Sequence, residues 1–335
     1  MATAGKRVRV GRSEYWITTD EDYGKHLGEQ FEPDTVALLE ALCKPNAQVL
    51  DIGANIGVTA VLLGSLAPRG IVAAVEPVPA AYHLLQQNVA AAGASNVRLH
   101  NFALGATDGT VRMQGNPQNL SGAFIADQHA INDDFHFSED VRVCRLDDVF
   151  SELGLSGLDL VKIDVEGYEL DVLEGGCRTL LEHKPLVMLE MNYVALNLWR
   201  RMSLPEFRER LLDYFPVVFA LRDGHWLDFR DERSAHEIQF THLTKFAYMD
   251  LVCGFDRAEV EGCLERLPEI RASLARESDE RNLAALREQQ LIHQCESLSA
   301  ELLACQQRVA DIEASSSWRI TAPLRALKQA LARSR

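Results

Sequence analysis

The sequence predicts an α/β fold: a doubly wound parallel sheet followed by a C-terminal α-helical coiled-coil segment. Three observations carry that prediction. Short apolar runs rich in β-branched residues alternate with helical stretches between Gln48 and Met191, glycines or acids stand where those runs stop, and a heptad spacing takes over towards the C-terminus.

In chain order, Gln48–Ile52 is expected as a strand and Val58–Leu66 as a helix, with Gly53, Asn55 and Gly57 in the turn between. Pro68-Arg69-Gly70 breaks the helix, and Ile71–Val75 is the next strand, stopped by Glu76-Pro77. A helix over Ala80–Ala92 leads to a strand over Val97–Phe102. A short strand at Val141–Arg145, a helical turn at Asp148–Leu153 and a strand at Leu158–Ile163 follow. A helix at Tyr168–Glu182 and a strand at Leu186–Met191 complete the alternation. Ligands of such sheets bind outside the carboxyl ends of the strands, so residues just past each strand are the candidates for chemistry.

Composition narrows the class. The chain has 335 residues, about two domain lengths, with 47% hydrophobic and 25% charged residues, as in a soluble globular protein. No run of about 18 apolar residues appears, and the charged N-terminus lacks the apolar stretch of a signal peptide. Seven scattered cysteines, never in CxxC spacing, argue for reduced thiols in a cytoplasm rather than a zinc or disulfide framework. A net charge of −15 argues against nucleic acid as a partner. Asp256 to Glu313 holds 13 acids and seven bases, whereas Ser315 to Arg335 holds five bases and no acid. The expected organisation is a lead-in over 1–35, a catalytic domain over 36–255, a stalk over 256–314 and a basic tail over 315–335.

The turn VLDIGANIG lies between a strand and a helix, as a nucleotide-binding turn must, and glycine there lets the backbone approach a ligand. Glu76, 23 residues after Gly53, ends the next strand, where an acid can accept both hydroxyls of a ribose. A pyrophosphate wants a helix N-terminus free of negative charge. Asp51 and Asn55 suit a cationic or zwitterionic group instead, such as the amino-acid end of S-adenosylmethionine, in preference to a nicotinamide cofactor.

LDIGANIG, the VEP after it, NFALG (Asn101–Gly105), RLDDV (Arg145–Val149), KIDVEGYE (Lys162–Glu169) and LEGGCRTLLEHKPLVMLEMN together resemble the FkbM family of S-adenosylmethionine-dependent methyltransferases. The resemblance runs from about Phe31 to Asn192. It implies the class I methyltransferase (Rossmann-like) fold, seven strands with the last antiparallel, and methylation of hydroxyl oxygens, often on sugars or polyketide-like products. It further implies that Asp51, Gly53, Asn55 and Gly57 hold the methionine part of the donor, that Glu76 holds its ribose, and that Ala103 and Leu104 flank its adenine. Core packing is the alternative for Ala103 and Leu104.

Methyl transfer to oxygen requires the reactants held in line and the hydroxyl proton removed. Asp164 and Glu166 stand just past the Leu158–Ile163 strand, and Glu190 ends the next, so these three are the catalytic candidates. An ordinary carboxylate is a weak base for a sugar hydroxyl, but burial and a second nearby acid raise its pKa. Glu166 could instead complement the dipole of the following helix. Glu169, Asp171 and Glu174 are expected on a solvated helix face. Asp164, Glu190 and Asn192 could together hold Mg²⁺; direct contact with substrate hydroxyls is the simpler reading, and no metal is assigned. Tyr193, Trp199 and Trp226 are candidates to stack on a sugar ring, with aromatic core as the alternative.

From Leu291 the residues Cys295, Leu298, Leu302, Cys305, Val309 and Ile312 follow at intervals of four and three, a heptad seam that predicts self-association of a helix running from about Arg257 to Ser315. Folding back on the catalytic domain is the alternative. Beyond Pro323 the tail reads as a basic amphipathic helix, with a membrane surface or a glycosyltransferase partner as its two candidate targets. SWRITAPLR resembles a tail of bacterial surface-polysaccharide enzymes. The sequence thus points to a cytoplasmic O-methyltransferase acting on a glycan or glycan precursor, attached at most peripherally to the inner face of the membrane. A catalytically silent scaffold and an NAD-dependent oxidoreductase are the alternatives.

Overall fold

The computed structural model describes residues 3–20, 24–25, 27–116, 119–125 and 137–333. The chain begins with a hairpin, β1 (Thr3–Val10) and β2 (Ser13–Asp20), whose alternating side chains bury Val8, Val10 and Ile17. The alternating part follows as α1 (Pro33–Leu42), β3 (Gln48–Ile52), α2 (Val58–Leu66), β4 (Ile71–Val75), α3 (Pro79–Ala91) and β5 (Val97–His100). Bounds of β3, α2 and β4 are those expected from the sequence, because Gly-rich and Pro-containing turns punctuate them.

Between β5 and the next strand of the main sheet lies an insertion that the sequence pattern did not announce. It forms a four-stranded sheet of β6 (Ala103–Leu104), β7 (Gly109–Asn116), β8 (Asn119–Ile125) and β9 (Phe137–Cys144), in the order β6-β9-β7-β8. Only its end had read as a strand, at Val141–Arg145; that strand starts earlier and stops at Cys144. The chain continues through α4 (Leu146–Val149), a 3-10 turn at Phe150–Leu153 and β10 (Leu160–Ile163). The single helix expected over Tyr168–Glu182 is two, α5 (Glu169–Gly175) and α6 (Cys177–His183), parted at the Gly175-Gly176 pair. Then come β11 (Leu186–Glu190), α7 (Tyr193–Arg200), α8 (Leu204–Tyr214), β12 (Val217–Arg222), β13 (His225–Asp228), α9 (Glu232–Lys245) and β14 (Asp250–Gly254).

Among the described residues the main sheet has eight strands in the order β13-β12-β14-β11-β10-β3-β4-β5. Strands β5, β4, β3, β10 and β11 run parallel, and β14 is antiparallel to both its neighbours. This is the doubly wound class I methyltransferase order with one antiparallel strand inserted next to the end; β13 adds an eighth strand as an edge hairpin with β12. Both faces are covered, so the central strands are apolar almost throughout. Leu50, Val75, Ile163 and Leu189 face one core, while Val49, Val72, Leu160 and Met188 face the other.

The C-terminal helices are α10 (Arg257–Leu264), α11 (Leu267–Ala314), α12 (Ser316–Ile320) and α13 (Ala322–Arg333). The continuous helix expected from Arg257 is interrupted at Glu265-Arg266. Two compact units divide at Leu274, later than the expected boundary at 255. Val260, Leu264, Leu267 and Leu274 are buried in the first unit, so α10 and the start of α11 belong to the domain core. The lead-in belongs there too: Arg9 N donates to Glu29 O at 2.8 Å, and Asn88, wholly buried on α3, exchanges hydrogen bonds with the Thr18 backbone. Arg335, one of the tail's five bases, lies outside the described residues.

Candidate active site

A cavity of about 730 Å³ opens at the carboxyl ends of β3, β4 and β10. Its floor is the turn after β3. Gly53 takes φ +78°, and a Cβ there would sit 1.8 Å from the Asp164 carbonyl oxygen, so the close approach of the two strand ends demands glycine. Gly57, at φ +93°, starts α2, and a Cβ would strike Leu85 at 2.5 Å. Between them Asn55 holds a left-handed backbone at φ +49°, a conformation asparagine tolerates better than most residues. Asn88 Nδ2 donates to Ile56 O at 2.8 Å, which ties the turn to α3.

Glu76 ends β4 and lines this cavity. One carboxylate oxygen accepts Asn55 N–H and the other Val78 N–H, each at 2.8 Å. Burial pushes its carboxyl up to about 7, despite those two donors. Asn101, the first residue of the NFALG motif, donates to the Glu76 and Pro77 carbonyls and fixes the loop.

The register of the sheet builds the rest. Lys162 on β10 lies directly opposite Asp51 on β3. Side chains alternate along a strand, so Asp164 emerges on the same face as Lys162, two residues on. Glu190 on β11 lies opposite Asp250 on β14. Carboxylates thus stand abreast at three adjacent strand ends. The Lys162 ammonium donates to Asp164 at 3.0 Å and pairs with Asp51 at 3.7 Å, while Thr59 Oγ1 donates to Asp51 at 2.8 Å. Burial acts to lower the Lys162 pKa, but Asp164 and Asp51 together hold it above its ordinary value. Burial pushes Asp164 up, yet Lys162 and a hydrogen bond with Glu190 hold it below the ordinary carboxylate value. Burial and the Asp164 charge drive Glu190 well above its own. Within the pair, Asp164 is thus the group held towards the ionised form and Glu190 the one held towards the protonated form.

Glu166 occupies a left-handed conformation at φ +50°, which costs a non-glycine residue about 1–2 kcal/mol. Asn192 Nδ2 donates to it at 3.1 Å. Burial, then the charges of Asp164 and Glu169, push its carboxyl up to about 8. Asp164, Glu166 and Glu190 present oxygens within 4.8 Å of one another. The Lys162 ammonium already neutralises one of them.

The sequence-predicted residues divide accordingly. Gly53, Asn55, Glu76, Ala103, Leu104, Asp164, Glu166 and Glu190 line the cavity; Asp51 and Gly57 do not. Asp51 is wholly buried beneath it, so its charge reaches the cavity through Thr59 and Lys162 rather than by contact. Glu169 is not on a solvated face: it is 1% exposed, accepts the Gly167 N–H at 2.9 Å, and burial pushes it up to about 7. Asp171 pairs with Arg200 at 2.6 Å, and Glu174 alone of the three acids is solvated. Asn192 Oδ1 caps α7 by accepting from Val194 and Ala195, so that oxygen is committed to the helix. Tyr193 packs edge-on to His242 and against Phe246; neither it nor Trp199 nor Trp226 lines the cavity. Tyr168 does, with Arg200 over its ring at 4.6 Å.

Lys162, Thr59 and Asp250 belong to the site and were missed from the sequence. Lys162 left a signal: a lone lysine inside the apolar run LVKI, two residues before an acid. Asp250 left none, because the strand that carries it returns from far along the chain.

The donor set suits a cation. Asn55 Oδ1 is buried without a hydrogen-bond partner, Asp51 Oδ1 has only the distant lysine, and both Glu76 oxygens retain accepting capacity. An ammonium at Asn55 Oδ1, with the buried Asp51 charge behind it, and a ribose at Glu76 would satisfy the groups that line the cavity, so the residues fit S-adenosylmethionine.

Residues 51–216 match the model of the methyltransferase FkbM domain. The 2-O-methyltransferase NoeI of Sinorhizobium fredii is 32% identical over 158 residues, which are 43% of this chain and 62% of that protein. Methyltransferase 1 of Beauveria bassiana is 30% identical over 142 residues, 38% of this chain and 57% of that one. The chain spans about three fifths of the length of these relatives. The crystal structure of methyltransferase FkbM from Methylobacillus flagellatus is similar at 21% identity and a TM-score of 0.37, over 52% of this chain and 38% of that one.

Proposed function

We propose, for a chain that belongs to the methyltransferase FkbM family through its residues 51–216, that it moves a methyl group from S-adenosylmethionine to a hydroxyl oxygen of a sugar-bearing acceptor. The observation that carries this reading is Glu166: a carboxyl at the end of β10, beside the glycine turn, with its pKa pushed up to about 8. A base poised near the working pH is what proton removal from a hydroxyl needs.

When bound, the donor supplies an already activated methyl group. Glu76 would take the ribose hydroxyls, the turn from Gly53 to Asn55 would hold the amino-acid end, and Ala103 and Leu104 would form an apolar wall for the adenine. Asp164, kept ionised by Lys162, and Glu190 orient the acceptor by accepting and donating hydrogen bonds to its hydroxyls. Glu166, once deprotonated, accepts the proton of the hydroxyl that is methylated.

The acceptor's chemistry follows from the wall. Glu32, Asp34, Glu166, Glu190 and Asp250 line the cavity, and Lys162 is the only basic residue among the described ones that line it. Such a wall offers acceptors and, where its carboxyls are protonated, donors for hydroxyls, and only that one cation for a phosphate, so the end of the acceptor that enters is a neutral polyol. The relative NoeI is a 2-O-methyltransferase, which supports a hydroxyl acceptor. A role in bacterial surface-polysaccharide synthesis, at the cytoplasmic side of the membrane, rests on the SWRITAPLR tail.

Methyl-labelled donor incubated with neutral oligosaccharides, lipid-linked sugars and nucleotide sugars tests this. Label should enter a neutral sugar hydroxyl, and Glu76→Ala should weaken donor binding by about 1–3 kcal/mol in calorimetry. Donor binding without turnover on any hydroxyl acceptor would favour a silent scaffold. Tight NAD binding without donor binding would favour the oxidoreductase.

A further inference from the structure

We infer that residues 291–312 pair with the same residues of a second copy of this chain as a parallel, in-register, two-stranded coiled coil. The seam residues are helical and strongly exposed: Leu291, Leu298, Leu302, Val309 and Ile312 range from 50% to 64%, and Cys295 and Cys305 are exposed thiols. The intervals of four and three place Cys295, Leu302 and Val309 at a, and Leu291, Leu298, Cys305 and Ile312 at d. A helix that left this face in water would expose a continuous apolar stripe. Leu291 and Leu298 at d with Val309 at a are choices that favour two strands, whereas Leu302 at a with Ile312 at d are not, so light scattering must also separate a dimer from a trimer.

Charge sets the direction. The flanking g positions are Gln294, Glu301 and Arg308, and the e positions are Ile292, Ser299, Gln306 and Glu313. In a parallel pair, each g residue faces the e residue five positions on in the other copy. Arg308 then meets the second copy's Glu313 twice, once on each side, and Glu301 meets a neutral Gln306. An antiparallel pair with the seam in register sets Glu301 against Glu301, an uncompensated repulsion. Upstream, Glu277, Arg281, Ala284 and Glu288 occupy the seam, so the paired segment starts at Leu291.

The two directions place the thiols differently. In parallel, Cys295 faces Cys295 and Cys305 faces Cys305. Antiparallel in register, Cys295 faces Cys305. The full chain should therefore be treated with a short bismaleimide as wild type, Cys295→Ser, Cys305→Ser and the double variant. The parallel coil predicts a covalent dimer in the first three and none in the fourth, which should still scatter light as a dimer. Cross-linking in the wild type alone would overturn the direction. No cross-link in any chain, with a monomer by light scattering at micromolar concentration, would overturn the pairing. As an independent check, Arg308→Glu should raise the dimer dissociation constant roughly tenfold, and adding Glu313→Arg should restore it. Equal weakening by the single and double variants would count against the register.

Discussion

Glu166 stands where a strand runs out of sheet, and its environment alters its chemistry more than its residue type does. At its ordinary value of 4.5 the carboxyl would be a weak base; raised to about 8 it becomes a proton acceptor that is mostly protonated at neutral pH. The rate, as kcat/KM, should accordingly climb with pH through about 8 and level off above it. Glu166→Gln should lose turnover by about 10²–10⁴-fold and flatten the profile, while donor binding persists. A profile that keeps its rise near pH 8 in the variant would assign the proton elsewhere. Lys162 makes a second residue-scale case. It is buried between two carboxylates, and removing it strands both. Lys162→Met should cost about 3–5 kcal/mol in denaturant unfolding, and adding Asp51→Asn should recover part of that loss. Purely additive destabilisation in the double variant would mean that the ammonium and Asp51 do not depend on each other.

At the scale of elements, legibility follows punctuation and period. β3, α2 and β4 are readable to the residue because each is a compact apolar run closed by glycine or proline. The site's first half was legible for the same reason, since Gly53, Asn55 and Glu76 lie in the turns that end those runs. The four-stranded insertion was not, because its buried positions are few: Met113, Val141 and Val143 alternate with polar, exposed neighbours, as in TDGTVRMQGN, in runs too short to stand out as strands. The β1–β2 hairpin did leave a signal, apolar alternation on either side of Gly11-Arg12, but its partner surface on α3 lies some 70 residues away. The tail is legible too. On α13, Leu324, Leu327 and Leu331 share one face, exposed at 63–69%, beside Arg325, Lys328 and Arg333. An anionic bilayer suits that helix, at about 1 kcal/mol for each base near the surface. Deleting the residues after Ser315 should release the protein from phosphatidylglycerol vesicles, and salt should mimic the deletion. Sedimentation with vesicles that the deletion leaves unchanged would turn attention to an acidic protein partner.

At the scale of the whole molecule, the acids that make the site also set how stability responds to pH. Glu76, Glu169 and Asp250 are each raised to about 7 and Glu166 to about 8, all chiefly by burial. Between about pH 5 and 8 the folded chain keeps protons on these groups that the unfolded chain has released, so their contribution is present at the acid end and is lost as pH rises. Asp164 is shifted the other way, and its contribution is lost only below the ordinary value of 3.8. Lys162, raised from 10.5, contributes fully throughout this window. The ligand-free protein should therefore melt at a lower temperature at pH 8 than at pH 6. Saturating S-adenosylmethionine should reverse more of the loss at pH 8, where more carboxylates face its positive charge. The growing net negative charge of the whole surface would also lower stability with pH, so one residue must be singled out. Glu169 serves, since it is buried and accepts the Gly167 N–H through one oxygen, a role that a glutamine amide oxygen can keep. Glu169→Gln removes one ionisation and leaves the surface charge almost untouched. Its stability relative to wild type should improve from pH 6 to pH 8 in denaturant melts, by up to about 1.4 kcal/mol for each pH unit over which wild-type Glu169 stays protonated after the unfolded chain has ionised. A difference between the two proteins that does not change with pH would mean that Glu169 is already ionised in the fold, and that the acid-rich wall is held by charge pairing instead of protonation.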